Sequence, residues 1–206
     1  FLKVHSYLSK INISIPKIEE RYDDINILIL EDFGDLRYDK ILYQHKIKDL
    51  LESAVKTLIT IKNEIAVKND YTLPVYNYNF FNEEISELID YFYPYIYHKQ
   101  ISKNLKEEFY ECWKAYYDSI NFQFDSFVHK DFNINNLLFL PSRKGHLKCG
   151  VIDFQNAFLG ESCWDLFSLL EDSRIYFDNS YNNYFIEYYC NNSALNMSMD
   201  EFKLKY

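Results

Sequence analysis

An eight-residue polar segment, His129–Asn136, constrains the fold of this chain more than any other feature of its sequence. It has the form H-x-D-x-x-x-x-N and is followed by an apolar run, Leu137–Leu140. A second apolar run, Cys149–Ile152, ends at Asp153. Two short apolar runs separated by turn-forming residues are typical of an antiparallel hairpin. We therefore predict a hairpin with polar side chains at its open end.

The register of this hairpin predicts which polar residues meet. If the turn within Pro141–Lys148 is centred on Lys144-Gly145, residues that face each other have numbers that sum to 289, and Asn136 faces Asp153. Directly opposed residues of an antiparallel pair have Cβ atoms about 5 Å apart. Two oxygen-bearing side chains at that separation can share one Mg²⁺ ion, with bonds of about 2.1 Å. The sequence thus predicts a metal site formed by Asn136 and Asp153.

Phosphoryl transfer requires the residue types found in these segments. A carboxylate such as Asp131 can accept the proton of an attacking hydroxyl, while hard oxygen ligands hold Mg²⁺ against the phosphates of ATP. The alternative is that His129 and Asp131 are ordinary loop residues and that Asp153 only caps a turn, since Asp and Asn are common in turns. The motif combined with strand, turn, strand and Asp153-Phe154 favours the catalytic interpretation.

The remaining chain has a short β start followed by mostly helical periodicity. We predict a buried strand over Ile25–Leu30, because this apolar run leads into Gly34 and Asp35. A loop is predicted over Asp70–Asn79. The predicted helical segments are 1–9 (the end of a helix), 39–65, 83–97, 102–120 with Ser102 as N-cap, 163–173 and 181–190. This order predicts an α+β fold.

Composition excludes several classes of protein. The formal net charge of −9 argues against a nucleic-acid binder, which normally presents a basic face. No apolar run approaches the roughly 20 residues that a membrane span needs, and we expect neither a span nor a signal peptide. The four cysteines are widely spaced without a CxxC pair. That spacing disfavours a thiolate cluster or a disulfide framework and fits the reducing cytoplasm.

Three segments resemble a known family. The stretch from Phe127 to Arg174 resembles the aminoglycoside-phosphotransferase/choline-kinase superfamily, which has a protein-kinase-like fold. Within it, Cys149–Ala157 and Asp165–Arg174 are similar to the bacterial subgroup of anomeric kinases of N-acetylmuramate and N-acetylglucosamine. Leu28–Asp35 resembles the last strand and the hinge of that subgroup's N-terminal lobe. Protein kinases have Gly after the Asp-Phe pair of this motif, whereas this chain has Gln155 after Asp153-Phe154, which agrees with the small-molecule kinases.

This resemblance implies a role for each matching residue. Asp131 would be the catalytic base and His129 would orient its loop. Asn136 and Asp153 would bind Mg²⁺, and Asp165 would brace the loop through backbone N–H groups. An acid at the start of a helix, stabilised by the helix dipole, is the other interpretation of Asp165.

The resemblance also implies a nucleotide site. Glu31, Asp32 and Phe33 would meet the adenine of ATP through backbone groups, although a plain strand and turn would have a similar sequence. Residues 1–35 would be part of an N-terminal lobe with its hinge. Residues 36–206 would be a mostly helical C-terminal catalytic lobe, which we expect to be incomplete.

The phosphate-gripping part of such a kinase is missing from this sequence. None of the four glycines forms a glycine-rich loop. Since positioning accounts for most of the catalysis in phosphoryl transfer, we expect weak or no activity from this chain alone. Either a separately encoded N-terminal lobe is its partner, or the chain is the product of a decaying gene.

The predicted function is an ATP- and Mg²⁺-dependent kinase acting on a hydroxyl of a small polar molecule, with an amino sugar favoured. An aminoglycoside or choline-type acceptor is the alternative within the class. A catalytically inactive pseudokinase is the alternative outside it, and a purely structural helical protein would leave the polar site unexplained.

Overall fold

The computed structural model describes residues 1–43, 45–65 and 73–206. Its helices are α1 (Leu2–Leu8), α2 (Tyr38–Ile41), α3 (Ile47–Ile65), α4 (Tyr78–Glu87), α5 (Tyr93–Tyr97), α6 (Lys103–Ser119), α7 (Trp164–Leu170), α8 (Asn179–Asn192) and α9 (Met199–Lys205). Its strands are β1 (Ile18–Tyr22), β2 (Ile27–Leu30), β3 (Ser126–Val128), β4 (Leu137–Phe139), β5 (Cys149–Val151) and β6 (Phe158–Gly160). No helix within these ranges is both long and apolar enough to cross a bilayer.

The strands form three separate antiparallel pairs. β1 pairs with β2, β3 with β6, and β4 with β5. Strand β2 confirms the position predicted for Ile25–Leu30, but the prediction that it is buried is wrong. Ile27 and Ile29 are 49% and 41% exposed. A two-stranded ribbon has two faces and β2 lies against β1 only along its edge, so its outer side chains remain in contact with solvent.

Helix α3 lies at the centre of the main core. Its apolar face carries the three- and four-residue spacing seen in the sequence, and Leu50, Leu51, Ala54 and Val55 are almost fully buried. The helix predicted over 39–65 is two helices, because α2 ends at Ile41 and α3 begins at Ile47. Gln44, between them, lies outside the described residues. The first part of the predicted 70–79 loop also lies outside them.

An aromatic helical segment precedes the catalytic motif. Asn77 caps α4 by accepting hydrogen bonds from two backbone N–H groups, so this helix starts earlier than predicted. A π-helical turn, Leu88–Phe92, joins α4 to α5. Ser102 caps α6 as predicted, accepting from the Leu105 N–H at 3.3 Å. None of the residues of α4, α5 or α6, all of which the structure describes, is buried.

The predicted catalytic hairpin is β4 and β5, but its register differs by one residue from the prediction. Leu137 faces Val151 and Phe139 faces Cys149, so partners sum to 288. The Ile152 N–H donates to the Asn136 carbonyl at 3.1 Å, which places Ile152 rather than Asp153 opposite Asn136. The cause is a 3-10 turn at Gly145–Lys148, which makes the connection asymmetric.

The β4–β5 hairpin forms hydrogen bonds with residues 12–14, which lie between α1 and β1. Ser14 donates its hydroxyl to the Leu147 carbonyl at 2.6 Å, and its own carbonyl accepts from the Val151 N–H at 2.8 Å. The His146 imidazole lies 2.7 Å from the Asn12 carbonyl. The hairpin is therefore fixed to the chain that leads into β1.

Sequence patterns missed β1, β6 and α9. β6 is only three residues long and pairs with β3, which leads directly into the catalytic motif. Helix α9 has a capping box in which Ser198 and Glu201 satisfy each other's backbone N–H groups. That Ser-x-x-Glu spacing is visible in the sequence and could have located the helix.

Gly150 provides a stability prediction for the hairpin. A Cβ added there would lie 2.7 Å from Cδ2 of Phe33 and 3.1 Å from Cδ1 of Leu140, closer than van der Waals contact. We expect Gly150→Ala to lower the free energy of unfolding by about 1–3 kcal/mol through overpacking, measured by urea denaturation. Lys144→Ala, on the exposed turn of the same hairpin, is the control. Equal stability of both variants would show that the ring moves aside without strain.

Candidate active site

His129 connects the two polar segments of the site. The residue follows β3 and is fully buried. Its Nε2 lies 2.9 Å from the Ile152 carbonyl, and its Nδ1 lies 3.3 Å from the Asp131 N–H. The ring therefore carries its proton on Nε2 and accepts at Nδ1. Burial lowers the pKa of His129 to about 4, so the imidazole is neutral at physiological pH. The one imidazole ring therefore contacts the backbone of both Asp131 and Ile152, the residue before Asp153.

Asp165 fixes the backbone at the start of the predicted catalytic loop, His129–Asn136. It lies in the first turn of α7, and its two carboxylate oxygens accept the N–H groups of His129 at 2.7 Å and Lys130 at 3.2 Å. Lys130 has φ of 83°, a left-handed backbone conformation that is uncommon for a lysine. Burial raises the pKa of Asp165 to about 7, although the two N–H donors favour its ionised form. The carboxylate stabilises a strained turn directly before Asp131.

Asp131 and Asn136 are linked within the loop. The Asn136 side-chain amide donates from Nδ2 to the Asp131 carbonyl at 2.9 Å. This bond fixes the amide so that Oδ1 is the atom available to another ligand. The Asp131 carboxylate is partly exposed and makes no hydrogen bond with the described residues. The loop thus presents a carboxylate and an amide oxygen from one short segment.

Asp153 lies at the end of the neighbouring strand, also in a left-handed conformation, with φ of 65°. Its Oδ1 accepts from the Gln155 side chain at 2.6 Å, and Oδ2 has no partner among the described residues. Asn136 Oδ1 and Asp153 are hard oxygen donors, which fits Mg²⁺. No group of three or more His, Cys, Asp or Glu side chains within the described ranges could hold a metal. Mg²⁺ commonly uses one or two protein ligands and completes its shell with phosphate and water.

Phe154 anchors the segment that carries Asp153. It is almost fully buried, and its ring stacks on Phe1 with centroids 5.1 Å apart, next to His5 of α1. Helix α1 therefore packs directly behind the candidate metal ligand.

Two of the three predicted hinge residues, Glu31 and Asp32, form hydrogen bonds through their side chains. Glu31 Oε2 accepts the Lys17 N–H at 3.2 Å, and its Oε1 lies 2.6 Å from Arg143 Nη2. Asp32 Oδ1 accepts the Gly34 N–H at 2.7 Å, which forms a turn where Gly34 has φ of 74°. Outside the strand ladders, the Glu31 carbonyl and the Phe33 N–H have no hydrogen bond within the described residues. These groups can bind a purine edge.

A cavity of about 470 Å³ lies beside the catalytic loop. Lys130, which precedes Asp131, and Gln155, which follows Asp153 by two residues, both line it. Its other walls include Tyr76, Phe80 and Glu84. Aromatic rings together with a few polar groups in a volume of this size are typical of a small-molecule pocket.

The sequence missed the polar group on the wall of this cavity. Lys130 Nζ lies 3.3 Å from Glu84 Oε1, and Tyr76 donates its hydroxyl to Glu84 Oε2 at 3.0 Å. Burial and the Glu84 carboxylate raise the pKa of Tyr76 above its usual range. The sequence separates Glu84 widely from the motif, and no local pattern pairs them. Only the adjacency of Lys130 to Asp131 could have drawn attention to this group.

The raised pKa of Asp165 leads to a pH prediction. An unfolded Asp titrates near pH 3.9, so between that pH and about 7 the folded chain holds a proton that the unfolded chain has released. Stability is therefore lost as pH rises through this window. The Asp165→Asn variant has no carboxyl to titrate and so does not show this loss. As pH rises from about 4 to 7, its free energy of unfolding relative to that of the unaltered chain should increase by up to about 1.4 kcal/mol per pH unit.

Urea denaturation between pH 4 and 8 measures this difference. Asp178→Asn is the matched control, because hydrogen bonds from Ser180 lower the pKa of Asp178. This carboxyl is ionised in both the folded and the unfolded chain above about pH 5, so its stability difference should stay constant there. A constant difference between Asp165→Asn and the unaltered chain would mean that Asp165 is ionised throughout the folded range.

Comparison with known proteins agrees with this geometry. Residues 96–202, more than half of the chain, match the phosphotransferase enzyme family. The chain belongs to this family. The fold is that of aminoglycoside phosphotransferases and is protein-kinase-like: the crystal structure of ADP-bound aminoglycoside phosphotransferase APH(2'')-Ib superposes with a TM-score of 0.60 at 18% identity, covering 99% of this chain and 68% of that one. The predicted α+β, kinase-like class is confirmed.

Two relatives within the phosphotransferase family carry the same name. The N-acetylmuramate/N-acetylglucosamine kinase of Neisseria meningitidis serogroup B is 25% identical over 189 residues, which are 88% of this chain and 52% of the relative. That of Caulobacter vibrioides is 46% identical over 48 residues, 23% of this chain and 13% of the relative. The chain thus spans about half the length of the Neisseria relative. The predicted resemblance is confirmed.

Proposed function

We propose that this chain is the catalytic part of a small-molecule kinase that transfers the γ-phosphoryl group of ATP to a hydroxyl of an amino sugar, with N-acetylmuramate or N-acetylglucosamine as the favoured acceptor. The observation that carries the proposal is the joint positioning of Asp131 and of the segment before Asp153 by the single imidazole of His129. Turn-forming acids without a shared function would not require such a connection.

The residues of the loop can carry out the proton transfer. Asp131 accepts the proton of the acceptor hydroxyl while the hydroxyl oxygen bonds to the γ-phosphorus. The bond between the γ-phosphorus and the β–γ bridging oxygen breaks, and ADP is released. His129 stays neutral and holds the backbone of Asp131. Asp165 keeps the loop in its left-handed turn, so that the base is positioned before the substrate arrives.

Asn136 and Asp153 are the residues that would hold Mg²⁺. When bound, the ion would neutralise negative charge on the phosphates of ATP. The hydrogen bond from the Asn136 amide to the Asp131 carbonyl keeps the proposed base and the amide oxygen that would bind the metal in fixed relative positions. The purine would lie against the backbone of Glu31 to Phe33.

The cavity beside Lys130 favours an uncharged or anionic sugar over a polycationic aminoglycoside. Within its described lining, Glu84 is the one carboxylate, and both of its oxygens already contact Lys130 and Tyr76. A polycation would find no unpaired carboxylate there, whereas a sugar can hydrogen-bond to Gln155 through its hydroxyls and stack its ring on aromatic side chains.

All four cysteines are free thiols, which supports a cytoplasmic location.

The test measures ADP formation by the purified chain with Mg²⁺ and ATP against N-acetylmuramate, N-acetylglucosamine, kanamycin and choline. Calorimetry with Mg²⁺ and ADP reports nucleotide binding independently of the rate. We expect ADP binding, and turnover only with one or both amino sugars. Turnover with kanamycin alone would replace the acceptor, and absence of both binding and turnover would favour the inactive pseudokinase.

A further inference from the structure

Arg143 contacts the hinge in two ways. It lies in the turn of the β4–β5 hairpin, where its own N–H donates to the Leu140 carbonyl at 3.1 Å. Its guanidinium is 2.6 Å from the Glu31 carboxylate, and its Cζ lies 4.9 Å from the centroid of the Phe33 ring. Arginine suits this position because its planar group can pair with a carboxylate and lie over an aromatic ring.

The Phe33 ring is held from a second side by the same hairpin. Gly150 on β5 lacks a side chain where the ring packs, and an added Cβ would lie 2.7 Å from it. Glu31 is likewise held twice, by Arg143 and by the Lys17 N–H. The first and third residues of the proposed hinge are therefore both held through their side chains, while the Glu31 carbonyl and the Phe33 N–H have no backbone hydrogen bond to another described residue outside the strand ladders.

The same hairpin carries the candidate metal ligands. Asn136 directly precedes β4, and Asp153 follows β5 by two residues. Its turn supplies Arg143, and its second strand supplies Gly150. One two-stranded element thus sets the position of the groups that would meet the phosphates and of the backbone that would meet the purine.

We propose that Arg143 is a positioning residue for the nucleotide: it locks the hinge backbone of Glu31–Phe33 onto the β4–β5 hairpin, so that the purine and the phosphates are aligned by one rigid element. This inference rests on the proposed function, since it requires the purine to bind at the hinge. Arg143 does not contact the reacting atoms, and its effect should appear in nucleotide affinity rather than in the chemistry.

The experiment compares ADP affinity in the presence of Mg²⁺ for the unaltered 206-residue chain, Arg143→Met and Arg143→Lys by calorimetry. Arg143→Met keeps the unbranched stem of the side chain but loses the guanidinium and with it the ion pair, and we expect about a 10-fold weaker affinity, equivalent to about 1.4 kcal/mol. Arg143→Lys retains the charge beside Glu31 but not the flat face over Phe33, and its affinity should be intermediate. Arg21→Met is the control, because the one ion pair of Arg21 with a described residue is with Asp23, at the exposed end of β1.

Hydrogen exchange of the nucleotide-free chain separates positioning from a general loss of stability. Arg143→Met should accelerate exchange at the amides of residues 31–34 while the amides of α3 and α7 keep their rates. Uniform acceleration would indicate a merely structural role and would overturn the proposal. So would ADP affinity in Arg143→Met within twofold of the unaltered chain.

Failure of the proposed function gives a different result. If the unaltered chain binds no ADP at millimolar concentration, the hinge is not a purine site, and both proposals fall together. If the unaltered chain binds ADP and Arg143→Met binds it equally well, only the role of Arg143 is overturned.

Discussion

Asp131→Asn is expected to lower kcat for the amino-sugar acceptor by about 10²–10⁴-fold, the range associated with loss of a general base. The amide has nearly the same shape as the carboxylate but cannot accept the proton of the hydroxyl. The contacts that hold this residue use its backbone: the N–H donates to His129, and the carbonyl accepts from Asn136. The fold should therefore be retained, and ADP should bind as before.

Coupled detection of ADP release and calorimetric ADP binding together check this expectation. Asp118→Asn is the matched control, because Asp118 pairs with Lys114 on the exposed surface of α6. A residual kcat above one tenth of the original value would show that Asp131 is not the base. A chain that binds ADP but shows no turnover, either unaltered or in the two variants, would behave as the pseudokinase interpretation predicts.

Asp153→Asn is expected to weaken metal-dependent nucleotide binding and to lower kcat/KM by about 100-fold, close to 3 kcal/mol of lost charge stabilisation. Removing the carboxylate leaves Asn136 as the remaining protein ligand. Asn is preferred to Ala here because Asp153 has φ of 65°, and asparagine tolerates this left-handed conformation. The variant should therefore fold normally.

Binding of Mn²⁺ as a substitute for Mg²⁺, followed by electron paramagnetic resonance with and without ADP, measures the loss without relying on activity. Asp23→Asn, at an exposed site near the β1–β2 turn, is the control. If Mn²⁺ binds Asp153→Asn and the control with the same affinity, the metal ligand must be another residue.

The sequence predicted the catalytic hairpin because its two strands and polar ends are local patterns. It did not predict the register, because the 3-10 turn at Gly145–Lys148 has no clear signal among ordinary turn residues. The roles proposed for Asp131, Asn136 and Asp153 stay predictions. The contacts that organise them depend on main-chain groups, such as the Ile152 carbonyl, which sequence patterns do not reveal.

Long-range side-chain partners were the least predictable part of the site. Glu84 pairs with Lys130 on the wall of the cavity, and Arg143 pairs with Glu31, which lies in a different part of the chain. Each is an ordinary charged residue in its own segment. The burial of β2 was also predicted wrongly, because a run of apolar residues does not indicate whether another layer covers it.

The contacts of His129 have a consequence for the order in which the molecule assembles. Its links to Ile152 and Asp165 join residues 23 and 36 positions apart, whereas Arg143 and Glu31 are 112 positions apart. Closing a short loop loses less chain entropy than closing a long one, and proteins rich in local contacts fold faster. The proposed catalytic centre can therefore form early and from one continuous stretch of chain, whereas the proposed purine site forms only after two segments 112 residues apart have come together.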